Sequence, residues 1–198
     1  KITRFCYRIV ERMKVLQWFC ILFLLQAFFS RGCTDECVLI CEDSKVLVCV
    51  GDCSTRYTPA STFKLALCVM GFDSNIFNDE THPSWDFKVE YVDFLPCWKQ
   101  PHTPSLWLKN SCVWFSQVLT KKLGMELFNQ YVQLFEYGNC DTSGDRSLNN
   151  GLTECWLSSS LRISALEQIT FLKKLANLSL PVSRYAQEST KKCMPQED

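Results

Sequence analysis

The sequence predicts an α+β domain in which a β-hairpin precedes a series of helices. Three observations predict it. The stretch ECVLICEDSKVLVCVG at 36–51 holds two short apolar, β-branched runs around a polar turn, the pattern of a hairpin. The stretch SALEQITFLKKLANL at 164–178 carries apolar residues at helical spacing. The composition, 47% hydrophobic and 21% charged over 198 residues, is that of a globular domain able to bury a core.

Taken in order, the N-terminus comes first. Residues 15–29 are an apolar run preceded by Lys1, Arg4, Arg8, Arg12 and Lys14. The run is short for a membrane span and suits a secretory leader. Residues 13–33 are therefore expected to be a signal peptide, or a membrane anchor if left uncleaved. Residues 1–12, ahead of Met13, are expected to be translated upstream sequence. A single domain over 34–198 follows. An exported, periplasmic location is the expectation, with membrane contact only through the N-terminal segment.

The hairpin puts Val38 and Ile40 on one face and Cys37, Leu39 and Cys41 on the other. A helix is expected from about Ser61, with Phe63, Leu67 and Met70 apolar. Residues 73–105 read as loop, punctuated by four prolines. Helical pattern resumes at Ser111, with Gly124 and Gly138 at the positions of C-caps. The stretch NCDTSGDRSLNNGLTEC at 139–155 reads as a polar loop. In the last clear helix Ser164 and Glu167 form a capping box, and Ile169, Leu172 and Leu175 share one face.

Charge and cysteine content exclude some functions. Twenty-one basic residues balance twenty-one acidic ones, so nothing points to nucleic acid. Thirteen cysteines are an odd number and cannot all pair internally. Disulfides are expected in an exported chain. No C-x-x-C occurs and the two histidines, His82 and His102, sit apart, so no metal site is expected.

Four short elements carry the chemistry: STFK at 61–64, SCV at 111–113, YGN at 137–139 and WL at 156–157. S-x-x-K alone is weak, and it recurs as STKK at 189–192, which reads as a solvated surface run. A serine and a lysine at i and i+3 share one helical face, so an amine can lie beside a hydroxyl. Burial of that amine would lower its pKa and let it act as a base for the serine.

In this order the four elements resemble the class D (oxacillinase-type) serine β-lactamases. YTPASTFK, HPSWDF and LRISALEQ add to the resemblance, which runs from about residue 36 to 192. It implies an α/β/α fold of the β-lactamase and penicillin-binding transpeptidase type. It implies Ser61 as nucleophile, Lys64 as base in N-carboxylated form, and Ser111 as proton relay to the lactam nitrogen. CO₂ bound on Lys64 is the sole cofactor expected. Phe63, Val113, Trp156 and Leu157 would form the lysine pocket, with the Trp156 indole donating to the carbamate. Tyr137 and Asn139 would line the substrate site, and β-lactam antibiotics are the expected partners.

The resemblance also has a break. The family carries K-T-G or K-S-G on a strand that walls the site, and neither tripeptide occurs in this sequence. The chain is accordingly expected to be a C-terminally truncated β-lactamase with an incomplete antiparallel sheet, an oxyanion hole short of one donor and weak or no hydrolysis. The alternatives are a non-hydrolytic penicillin-binding or β-lactam sensor domain, and an inactive remnant.

Overall fold

A computed structural model describes residues 37–42 and 45–194, and the expected leader and upstream segment lie outside them. Within these residues the chain forms β1 (Val38–Glu42), β2 (Lys45–Val50) and six α-helices. The helices are α1 (Lys64–Asp73), α2 (Pro104–Asn110), α3 (Val113–Leu134), α4 (Gly151–Ser158), α5 (Ala165–Ala176) and α6 (Arg184–Cys193). A 3₁₀ turn, Ala60–Phe63, leads into α1.

The chain divides into two compact units. One holds the hairpin, described up to residue 55, together with 164–166. There β1 and β2 pair antiparallel from Val38 opposite Val50 to Glu42 opposite Lys45, with an irregularity between Ile40 and Cys41. Leu39 is the buried strand residue, whereas Val46 and Leu47 of β2 are exposed. A disulfide joins Cys37, just before β1, to Cys53, just after β2. Among the described residues the sheet has two strands, matching the incomplete sheet expected from the sequence.

The second unit is helical and built around α1. Residues Ala66, Leu67, Cys68, Val69 and Met70 are wholly buried, so this helix is apolar on every side and lies in the core. Helix α6 packs on it, burying Ala186, Thr190 and Cys193. The buried Gln187 is satisfied by the connection before α6: its Oε1 accepts from Leu180 N–H at 2.9 Å and its Nε2 donates to Leu180 O at 3.2 Å. Ser183 caps α6 by accepting from Ala186 N–H at 3.2 Å.

Several local expectations need correction. STKK is not a surface run: Ser189 and Thr190 are buried in α6, and only Lys191 and Lys192 are exposed. Its polar residues hid an amphipathic helix whose small side chains fit close to α1. The expected loop at 139–155 ends early, because α4 begins at Gly151. Helix α2 was hidden in proline-rich sequence. Pro104 occupies its first turn, where a missing N–H costs nothing, and Thr103 caps it by accepting from Leu106 N–H at 3.3 Å. The buried stripe of α5 is Gln168, Phe171 and Leu175, shifted from the expected 169–172–175, because Phe171 meets Tyr137 and Phe135. Gly124 breaks α3 with φ 76° and ψ 161°, a conformation open to glycine.

Candidate active site

Ser61 sits in the 3₁₀ turn at the head of α1, and Lys64 is the first residue of α1. The spacing of three puts both side chains on one face. Lys64 Nζ lies 3.0 Å from Ser61 Oγ. Ser111 Oγ donates to Ser61 Oγ at 2.8 Å. The structure therefore brings together the three residues that the sequence assigned to catalysis.

Exposure divides them by chemistry. Ser61 is exposed and Ser111 half-buried, whereas Lys64 is only 2% accessible. Burial pulls the Lys64 amine down from its ordinary 10.5 to about 8. At pH 7 roughly one amine in ten is then neutral, against fewer than about one in a thousand for an exposed lysine. The buried neighbour Cys112 is pushed the other way, up to about 11, chiefly by desolvation. Desolvation outweighs the charge coupling between Cys112 and Lys64, which acts in the opposite direction on both groups.

The backbone at both hydroxyls is unusual. Ala60, immediately before Ser61, has φ 47°, and Ser111 has φ 52° and ψ 38°. These are left-handed conformations that non-glycine residues adopt at a cost of order 1–3 kcal/mol. Ser111 ends α2 in this conformation, its N–H donating to Leu108 O at 3.2 Å while Cys112 N–H donates to Trp107 O at 3.1 Å. The chain reversal aims the Ser111 hydroxyl at Ser61.

The residues that the resemblance assigns to a lysine pocket lie in an aromatic part of the core. Phe63 and Trp156 are fully buried, with ring centroids 5.6 Å apart, and Val113 and Leu157 are half-buried against the same core. Phe128 joins this aromatic cluster, its ring 6.0 Å from Phe63 and 6.2 Å from Trp156. Sequence reasoning missed Phe128, which lies in no motif and is brought here by packing, and it gave no role to Cys112, the middle residue of SCV. The Trp156 Nε1–H is buried and has no hydrogen-bond partner among the described residues. A buried donor left unpaired is costly, so this atom marks a place for an acceptor.

Tyr137 and Asn139 are both engaged by protein groups. Tyr137 is fully buried, its ring 5.0 Å from Phe63, and its hydroxyl donates to Gln168 Oε1 at 2.8 Å. Asn139 is spent on the chain that passes α4: its Nδ2 donates to Ser160 O at 2.8 Å, and its Oδ1 accepts from Arg162 N–H at 2.9 Å. Its own N–H donates to Arg162 O at 2.9 Å. The YGN turn thus fixes the 160–162 segment, whose next residue, Ile163, exchanges backbone hydrogen bonds with Tyr57 at 2.8 and 3.0 Å. That ladder orients the approach to Ser61. Arg56 adds an ion pair to Glu167, with Nε 3.0 Å from each carboxylate oxygen. Tyr137→Phe takes a donor from the buried Gln168 carbonyl and is expected to cost about 1–3 kcal/mol in chemical denaturation. Substrate affinity is expected to change little.

Comparison with known proteins agrees with this geometry. The family model "Penicillin binding protein transpeptidase domain" matches residues 42–198. β-Lactamase OXA-9 of Klebsiella pneumoniae is 44% identical over 167 residues, 82% of this chain and 61% of that protein. β-Lactamase OXA-1 of Escherichia coli is 46% identical over 138 residues, 70% of this chain and 49% of that protein. The crystal structure of the class D β-lactamase OXA-427 superposes with a TM-score of 0.78 at 47% identity, covering 82% of this chain and 67% of that one. The chain thus spans about three fifths of OXA-9 and half of OXA-1.

Proposed function

Because the chain belongs to the penicillin-binding protein transpeptidase domain family, and within it to the class D β-lactamases, we propose that it takes β-lactams into a covalent acyl-enzyme on Ser61. The observation that carries this reading is the continuous chain from the buried Lys64 amine to Ser61 Oγ at 3.0 Å and on to Ser111 Oγ at 2.8 Å.

Neutral Lys64 draws the proton from Ser61 as Oγ bonds to the lactam carbonyl carbon. Ser111, hydrogen-bonded to Ser61, relays the proton that Lys64 took from Ser61 to the lactam nitrogen as the C–N bond breaks, so that Lys64 and Ser111 both end neutral. The exposed position of Ser61 admits the ring, while burial of Lys64 lowers its pKa and raises the neutral fraction of the amine. The Ser61 backbone N–H supplies one oxyanion donor.

Two observations favour N-carboxylation of Lys64: its amine is buried with a lowered pKa, and the buried, unpaired Trp156 Nε1–H would donate to a carbamate oxygen. When present, the carbamate supplies a carboxylate base for deacylation. ¹³C-bicarbonate labelling is expected to give a carbamate resonance in the parent protein that Trp156→Phe loses. An undiminished resonance in that variant would remove Trp156 from the role.

The decisive measurement is intact-protein mass spectrometry with benzylpenicillin. The expected result is an adduct of the whole penicillin mass, absent from Ser61→Ala. No K-T-G or K-S-G tripeptide occurs in the 198 residues, and one missing oxyanion donor raises the barrier by about 3–4 kcal/mol. Turnover by these residues is therefore expected to be slow, and export to the periplasm remains part of the proposal. A persistent adduct would favour a penicillin-binding or sensor role over hydrolysis. No adduct in the parent protein would overturn acyl transfer altogether.

A further inference from the structure

Three cysteines meet at the open end of the hairpin, and the acyl-transfer site makes no use of them. Cys37 precedes β1 and Cys53 follows β2, and the two are disulfide-bonded. Cys49, within β2, is exposed and carries a free thiol. Its Sγ lies 3.8 Å from Cys53 Sγ. Cys49 sits opposite Leu39, and the next pair, Val38 with Val50, is the last before the disulfide. Gly51, at φ 78°, turns the chain between the two sulfurs. A disulfide sulfur has no proton to donate, so this contact is a thiol held against a disulfide.

We propose that the hairpin is a thiol–disulfide exchange site with Cys49 as its attacking thiol. The Cys49 thiolate attacks Cys53 Sγ. A Cys49–Cys53 bond forms as the Cys37–Cys53 bond breaks, and Cys37 leaves as a thiolate that takes up the proton lost by Cys49. The step is redox-neutral and needs no external oxidant or reductant. Its consequence is mechanical. The Cys37–Cys53 bond spans 16 residues and ties the start of β1 to the end of β2. The exchanged bond spans four and ties β2 only to its own exit. A two-stranded hairpin is marginal alone, so the position of the bond decides whether β1 is held at this end.

The test uses the full chain in its native state, in a Cys41→Ser background that removes the other described thiol of the hairpin. The protein is held at mildly alkaline pH, acid-quenched, alkylated and mapped without reduction. Cleavage after Lys45 and Arg56 leaves Cys49 and Cys53 on one peptide and Cys37 on another. The expected result is an internally bridged 46–56 peptide with alkylated Cys37, alongside the cross-linked pair of peptides. Adding Cys49→Ser is expected to abolish Cys37 alkylation. Recovery of the Cys37–Cys53 link alone, with Cys49 fully alkylated, would overturn the proposal. So would Cys37 alkylation that persists in Cys49→Ser.

Discussion

Replacing Lys64 with methionine is expected to slow acylation of Ser61 by roughly 10²–10⁴-fold, the usual contribution of a general base. The same change is expected to stabilise the fold at neutral pH. The amine is only 2% accessible and its pKa falls from 10.5 to about 8, which amounts to about 3 kcal/mol spent on holding a buried cation. The sign follows from proton binding. Between pH 8 and 10.5 the unfolded lysine is protonated and the folded one is not, so parent stability rises with pH across that window. Below pH 8 both states bind the proton and the full cost is present. The advantage of Lys64→Met should therefore be largest below pH 8 and shrink by about 3 kcal/mol as pH passes 10.5. Chemical denaturation in CO₂-depleted buffer across this range measures it. A pH-independent difference between the two proteins would show that burial of the Lys64 charge is not what the fold tolerates.

Gly138→Ala is expected to be the most disruptive single methyl in the site's surroundings. A Cβ at this position would stand 2.0 Å from Arg162 O and 2.9 Å from Ile163 Cα. Both obstacles are backbone and cannot rotate away. The Arg162 carbonyl also accepts from Asn139 N–H, so moving it breaks the link between the YGN turn and the 160–162 segment. Gly138 lies at φ 59°, where alanine is strained even in open space. A loss of about 4 kcal/mol or more is expected, large enough to unfold a marginal domain. Thermal denaturation of the purified variant, or its failure to accumulate as soluble protein, checks this. A Tm near the parent's would mean that the turn relaxes without the 138–162 approach.

The comparison of these two sites shows how far local sequence reaches. Ser61 and Lys64 were legible because their relation is local: three residues along a helix fixes which face they share. The STFK motif could be separated from STKK only by its partners at 111–113, 137–139 and 156–157, and the two resolve oppositely in space. Lys64 is a buried amine beside a hydroxyl, whereas the STKK lysines are exposed above a buried Ser189 and Thr190. Tyr137 shows the limit. Its motif placed it near the site, but whether an aromatic ring faces a ligand or backs onto Phe63 depends on what fills the space behind it. Phe171 and Gln168 of α5 decide that.

By itself the sequence indicated the α+β class and the hairpin, and its motifs singled out Ser61, Lys64 and Ser111 as the candidate nucleophile, base and relay. These depend on local spacing and on residue chemistry carried in short motifs. Tertiary structure alone decided the depth of Lys64, the left-handed turn that aims Ser111, the packing of Phe128 on Phe63 and Trp156, and the unpaired indole of Trp156. It also decided the meeting of Cys49 with the Cys37–Cys53 bond. Each of these joins residues distant along the chain, or sets how much water a group can reach. Neither property is encoded in a window of a few residues; both arise when helices and strands pack.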